Sequence, residues 1–315
     1  MKTTKIIAAL LGLILLTSAA FAGGTQEPLP SAAPEISIGL LPDVDSIPFV
    51  IADLKGYFED EGISVTLQQF KNPVDRDTAF QAGETDAVIS DLLSAALSIN
   101  GGLKVRAVSQ TNGSYKLLTA PGSPADTIVA LKGMRLGISK NTIIEYATDK
   151  MLRTAGLTDA DIRKEIIPQI PLRLEMLQSG KIDGATLAEP LATISVTAGC
   201  SVLISTDKLG INPGIVLIGQ DFMAENRDAV TAMYRAYNRA VEYLAERDRE
   251  DYIDGIIEAM GFPPAARDVM ELPAYTKAQA PPAEEAAEVV SWLYGRGLIE
   301  KEFSYKELVD SSCLP

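Results

Sequence analysis

The chain spells one phrase twice. "QAGETD", Gln81 to Asp86, returns as "QSGKID", Gln178 to Asp183, with the Gln, Gly and Asp each 97 positions apart. In both copies an apolar-periodic helix ends, a glycine stops it, and a short apolar strand comes after the aspartate. Three matched letters are weak evidence of duplication. The order of elements around them is stronger. In the first half, strands are expected over residues 35–41, 63–70, 85–90 and 103–111, with helices over 47–62, 72–83 and 91–100 between them. A fifth strand is expected over 114–120. After the polar stretch "PGSPADTIVALKG" the alternation restarts. "MRLGIS", "EIIPQ", "IDGATLA" and "SVLIST" read as strands and the segments between them as helices. A β-α-β-α-β order used twice implies an α/β chain of two lobes, each built on a parallel-type sheet.

The N-terminus sets the compartment. Lys2 and Lys5 precede "IIAALLGLILLTSAAF", and Ala20-Phe21-Ala22 has the A-x-A form of a cleavage site. Residues 1–22 therefore read as a secretory signal peptide and 23–34 as a flexible linker. With no cysteine at the cleavage site, the mature chain is expected to be periplasmic without a lipid anchor. Removing Lys2 and Lys5 with the leader lowers the net charge from −14 to −16. Such a balance disfavours nucleic acid and anionic membranes as partners. A chain with no histidine has no Ser-His-Asp triad, no Cys-His pair and no H-E-x-x-H zinc site, and neither a metal nor a cofactor is expected. Cys200 and Cys313 leave a bridge and a pair of free thiols equally open.

The segments "IPFVIADLKGYFEDEGISVTL", "DRDTAFQAGETDAVISD", "IIEYATDKMLRTAGL", "LRLEMLQSGKIDGATLAEP" and "LGINPGIVLI", in this order and spacing, resemble the nitrate/sulfonate/taurine/thiamine-pyrimidine type of ABC-transporter substrate-binding protein. The resemblance runs from about Ile36 to Pro315. It implies a two-lobed periplasmic-binding-protein (Venus flytrap, type II) fold that closes on a small molecule and presents it to a permease and its ATPase. The lobes are expected over 35–120 with 214–315, and over 121–213, in a chain acting as a monomer. The helices after residue 220 are expected to pack back on the first lobe. Fungal pyrimidine-synthesis enzymes of the same fold consume one of their own histidines, a chemistry closed to this chain.

In open α/β sheets, ligands sit outside the carboxyl ends of the strands. The candidates in the first lobe are Asp43, Asp45, Ser46, Asn72, Arg76, Ser90, Asp91 and Thr111. In the second they are Ser139, Asn141, Thr142 and Glu189, with Asn212 and Pro213 near the hinge. Several have plain structural readings: Ser90, Asp91 and Thr142 as helix caps, Glu189 as a favourable charge at a helix start, and Tyr146 as core. Asp43, Asp45, Asp91 and Glu189 outnumber the bases in these loops, Arg76 and Lys140. The sign points to a neutral or cationic nitrogen heterocycle rather than to nitrate or a sulfonate. An inward-facing Arg76 would admit a ligand bearing a carboxylate. Binding of a small anion such as a sulfonate or nitrate, a sensory receptor of the same fold and a carboxylate-based enzyme are the competing readings.

Overall fold

A computed structural model describes residues 33–315; the expected signal peptide and nearly all of the expected linker lie outside them. In chain order, β1 (Glu35–Leu40), α1 (Ile47–Leu54), α2 (Tyr57–Asp60), β2 (Ser64–Gln69), α3 (Pro73–Gln81), β3 (Ala87–Asp91), α4 (Leu92–Asn100) and β4 (Val105–Gln110) form the first half. Then come β5 (Tyr115–Thr119), β6 (Arg135–Ile138), α5 (Ile143–Arg153), β7 (Arg163–Ile166), α6 (Ile170–Gln178), β8 (Gly184–Ala188), α7 (Leu191–Thr197), β9 (Ser201–Ser205) and β10 (Gly214–Gly219). The chain closes with α8 (Gln220–Glu225), α9 (Arg227–Glu246), α10 (Ile253–Met260), α11 (Ala266–Val269), α12 (Ala283–Gly295) and α13 (Tyr305–Leu308). The helix expected over 47–62 is two helices, parted where Gly56 turns left-handed.

The strands make two five-stranded sheets of one pattern, β2-β1-β3-β10-β4 and β7-β6-β8-β5-β9. In each, the first three pair in parallel, while the fourth, β10 or β5, runs antiparallel to both its neighbours. Each antiparallel strand is carried in from the other half of the chain. The expected boundary after residue 120 is therefore corrected: β5 pairs with β8 and β9, so the chain changes lobes between β4 and β5. The strand near 165 also begins two residues earlier than expected, at Arg163.

The repeated phrase is structural in both lobes. Gly83 and Gly180 take left-handed φ of 75° and 67°, which ends α3 and α6 at little cost. Asp86 then accepts the backbone N–H of Ser37 on β1 at 2.8 Å, and Asp183 accepts that of Arg135 on β6 at 2.8 Å. Each aspartate satisfies a backbone donor in the first half of the neighbouring parallel strand.

Two apolar clusters each draw on both lobes. One joins Ile38 and Val216 to Leu187 and Leu191; the other joins Val88 and Ile215 to Leu117 and Ile138. The C-terminal helices stitch the lobes instead of covering the first alone. α9 packs on α1 and α12 on α4, but α11 packs on α7 of the second lobe. Trp292 and Arg296, in and just after α12, reach Asp149 on α5, with Trp292 Nε1 donating at 3.1 Å. Cys200 and Cys313 are free thiols, both buried, so the bridge left open in the sequence is not formed.

Candidate functional site

The carboxyl ends of β1, β3, β6 and β8 meet across the interlobe cleft around a cavity of ≈40 Å³. That is room for roughly three water-sized groups. Two backbone bonds close the cleft over it: Val44 N–H to the Glu189 carbonyl at 3.0 Å, and Ile170 N–H to the Lys71 carbonyl at 3.1 Å. A wider outer groove of ≈450 Å³ adjoins the cavity and shares Arg76, Asp91 and Thr142 with it.

Seven of the expected residues line the cavity: Asp43, Asp45, Arg76, Ser90, Asp91, Ser139 and Thr142. Asp45 is the most buried of the three aspartates. Thr111 donates to its Oδ1, while its Oδ2 has no hydrogen-bond partner among the described residues. Burial pushes its carboxyl up to about 6, against the pull of the Thr111 hydrogen bond. Asp43 is also raised, by burial and then by the Asp45 charge, although Arg76 and Ser46 oppose the rise. Ser46 donates to Asp43 Oδ1 at 3.2 Å. Asp91 is raised by burial against the Arg76 charge and the Ser94 N–H, which it accepts at 2.8 Å as the cap of α4. A carboxylate in such a place gains from any ligand that brings an N–H donor or a positive charge.

The remaining expected residues build the frame. Ser46 and Thr111 hold Asp43 and Asp45. Asn72 caps α3, accepting the Asp75 N–H at 2.9 Å. Asn141, at φ 58°, lines the outer groove and gives its N–H to Glu145 at 2.7 Å. Glu189 is turned away from the cavity: it pairs with Lys116 on β5 and accepts the N–H and hydroxyl of Thr193 at 3.1 and 2.8 Å. Asn212 and Pro213 brace the returning crossover, Asn212 Nδ2 donating to the Thr111 carbonyl at 2.6 Å and the Pro213 carbonyl accepting Leu92 N–H at 2.9 Å. Tyr146 is core, edge-on to Trp292 at 5.6 Å.

Sequence reasoning missed three residues here. Lys116 neutralises Glu189, one of the four acids that argue against an anion. Tyr115 walls the cavity from β5, its hydroxyl pushed well up by burial and by Asp45, Asp43 and Asp91. Arg173 lines the cavity from α6. A signal for it was available: Arg173 lies 97 residues after Arg76, the same interval as the repeated phrase. Arg76 does face inward, so both arginines reach the space between the lobes.

The family model described as "NMT1/THI5 like" matches residues 43–250. Over 240 residues the chain is 24% identical to a Candida albicans protein named 4-amino-5-hydroxymethyl-2-methylpyrimidine phosphate synthase, covering 66% of each chain. Over 239 residues it is 23% identical to the riboflavin-binding protein RibY of Chloroflexus aurantiacus, covering 72% of this chain and 68% of that one. In fold it is similar to the periplasmic aliphatic sulphonate binding protein SsuA of Escherichia coli, with a TM-score of 0.74 at 18% identity over 88% of this chain and 92% of that one.

Proposed function

Since the chain belongs to the NMT1/THI5-like family, we propose that it is the extracytoplasmic solute-binding component of an ABC importer, which encloses a small molecule between its lobes and hands it to a membrane permease. It binds and releases; it does not turn its ligand over. The ligand is a neutral or cationic nitrogen heterocycle of the thiamine-pyrimidine kind. The observation that carries this reading is Asp45: a buried carboxylate at the cavity, one oxygen held by Thr111 and the other without a partner among the described residues. A ring amine or ring N–H would satisfy it, and Asp43 and Asp91 supply further acceptors beside it. The names of the two relatives, one a pyrimidine phosphate synthase and the other a riboflavin-binding protein, each concern a nitrogen heterocycle. Backbone hydrogen bonds from Val44 to Glu189 and from Ile170 to Lys71 span the cleft, so the lobes part about the two crossovers to admit the ring.

Calorimetric titration against 4-amino-5-hydroxymethyl-2-methylpyrimidine, taurine and nitrate tests the ligand class. Saturable binding of the aminopyrimidine, with little heat from the other two, is expected. Tight binding of taurine or nitrate without a response to the heterocycle would refute it.

A further inference from the structure

Arg76 and Arg173 are one device used twice. Each stem runs over a glycine of the sheet's second strand, β1 or β6: a Cβ on Gly39 would lie 3.4 Å from Arg76 Cγ, and one on Gly137 would lie 3.3 Å from Arg173 Cγ. Each guanidinium donates Nη1–H to a backbone carbonyl at 2.7 Å, of Ile89 for Arg76 and of Ile167 for Arg173. The two copies differ at the next position in the chain. In the first lobe it holds Asp77, which accepts Arg76 Nε–H at 2.8 Å and pairs with Nη2 at 2.7 Å. In the second lobe it holds Leu174. Arg173 Nε accordingly has no partner among the described residues, and no carboxylate among them forms a salt bridge with the guanidinium.

Arg173 is 1% exposed. Burial draws its guanidinium down to about 10, so it is still a cation at neutral pH. A buried, unpaired cation is costly to the fold, and a counter-charge brought by a ligand removes that cost. Among the described residues, the rest of the second-lobe lining brings no carboxylate to offset it. Where the first lobe carries Asp91, the position 97 residues on is Ala188, and its polar neighbours are Ser139 and Thr142, both hydroxyls.

We infer that the second lobe provides an oxyanion subsite centred on Arg173, so that the heterocycle is bipolar: its neutral or cationic ring end lies on Asp43, Asp45 and Asp91, and a carboxylate or phosphate substituent on the ring lies on Arg173. The inference rests on the reading of this cavity as the solute site. It also explains how a site with three carboxylates draws the lobes together. Each lobe grips one end of the same molecule, so the ligand is held at both ends only when the lobes close.

The test compares two pyrimidines that differ at one end, 4-amino-2-methylpyrimidine-5-carboxylate and 4-amino-5-hydroxymethyl-2-methylpyrimidine, by calorimetry on the mature chain. The carboxylate is expected to bind at least tenfold tighter. That preference should vanish in Arg173→Gln and survive in part in Arg173→Lys, which keeps the charge; Arg173→Lys also serves if the glutamine variant fails to fold. Equal affinity for the two compounds in the wild type, or a preference unchanged in Arg173→Gln, would overturn the inference and leave the solute-site reading standing. If neither pyrimidine binds, the heterocycle reading fails. The subsite is then judged with phosphate and formate as probes. A saturable rise in melting temperature that is lost in Arg173→Gln upholds it, and no rise, or the same rise in both proteins, rejects it.

Discussion

Asp45 holds a proton more tightly in the folded protein than in the unfolded chain, because burial lifts its carboxyl to about 6. Below about pH 4 the residue is protonated in both states and costs the fold nothing. As pH rises from about 4 to about 6 the folded protein must ionise it in a dry place, and a penalty of about 3 kcal/mol develops and then stays. Asp43 and Asp91 are shifted in the same direction. In Asp45→Asn the ligand-free protein should therefore gain stability over the wild type across this window, by up to about 3 kcal/mol at pH 7, measured by urea unfolding at several pH values. A stability difference independent of pH between about 4 and about 7 would contradict the assignment. The same variant should lose ligand affinity, since an amide in place of the carboxylate brings donors where acceptors are needed. At this scale the sequence was legible for polar residues at strand ends, because the carboxyl ends of a parallel sheet define one face. It was silent on direction. Glu189 stands at a strand end as Asp91 does, yet it faces Lys116 and not the cavity. Arg173 is written inside the apolar run "IPLRLEML", where it reads as part of an ordinary helix.

Among the elements, the two crossovers decide the geometry. Gly113 lies between β4 and β5, and Gly214 opens β10. A Cβ at either position would come within 2.8 Å of Asp45 Oδ1. Both crossovers thus pass directly against the aspartate proposed to hold the ligand. Gly113→Ala and Gly214→Ala should each cost about 1–3 kcal/mol, the usual range for overpacking, and should weaken ligand binding by displacing Asp45. Normal affinity in both variants would show that the crossovers do not set the position of Asp45. The element order of each half was readable from hydrophobic periodicity and glycine stops. The exchange of β5 and β10 between sheets was not. "SYKLLTA" comes directly after the first half in sequence, and only its pairing with β8 and β9 moves it to the second lobe. Local pattern carries no information about such long-range pairing.

As a whole, the molecule is two copies of one sheet pattern held by apolar contacts, two crossover strands and a C-terminal helical segment that touches both lobes. Asp149, buried on α5, depends on partners from the end of α12: Trp292 Nε1 and Arg296. Burial raises its carboxyl against the pull of Lys164 and Arg296. Arg296→Met removes one of its two basic partners. Because Arg296 is partly exposed and Lys164 remains, the expected loss is about 1–2 kcal/mol, less than for a fully buried pair. Thermal or urea unfolding reads it directly, and an unchanged midpoint would mean that the α5–α12 contact does not tie the lobes. The sequence placed these C-terminal helices on one lobe because their apolar stripes say that they pack, not what they pack on. The central claim, that this chain encloses a small molecule between its lobes, is tested most directly by native mass spectrometry of the protein purified without refolding. The expected spectrum shows one small-molecule adduct, lost in Asp45→Asn. A bare mass for the wild type, joined to no mass shift with aminopyrimidines, taurine or nitrate, would contradict the claim.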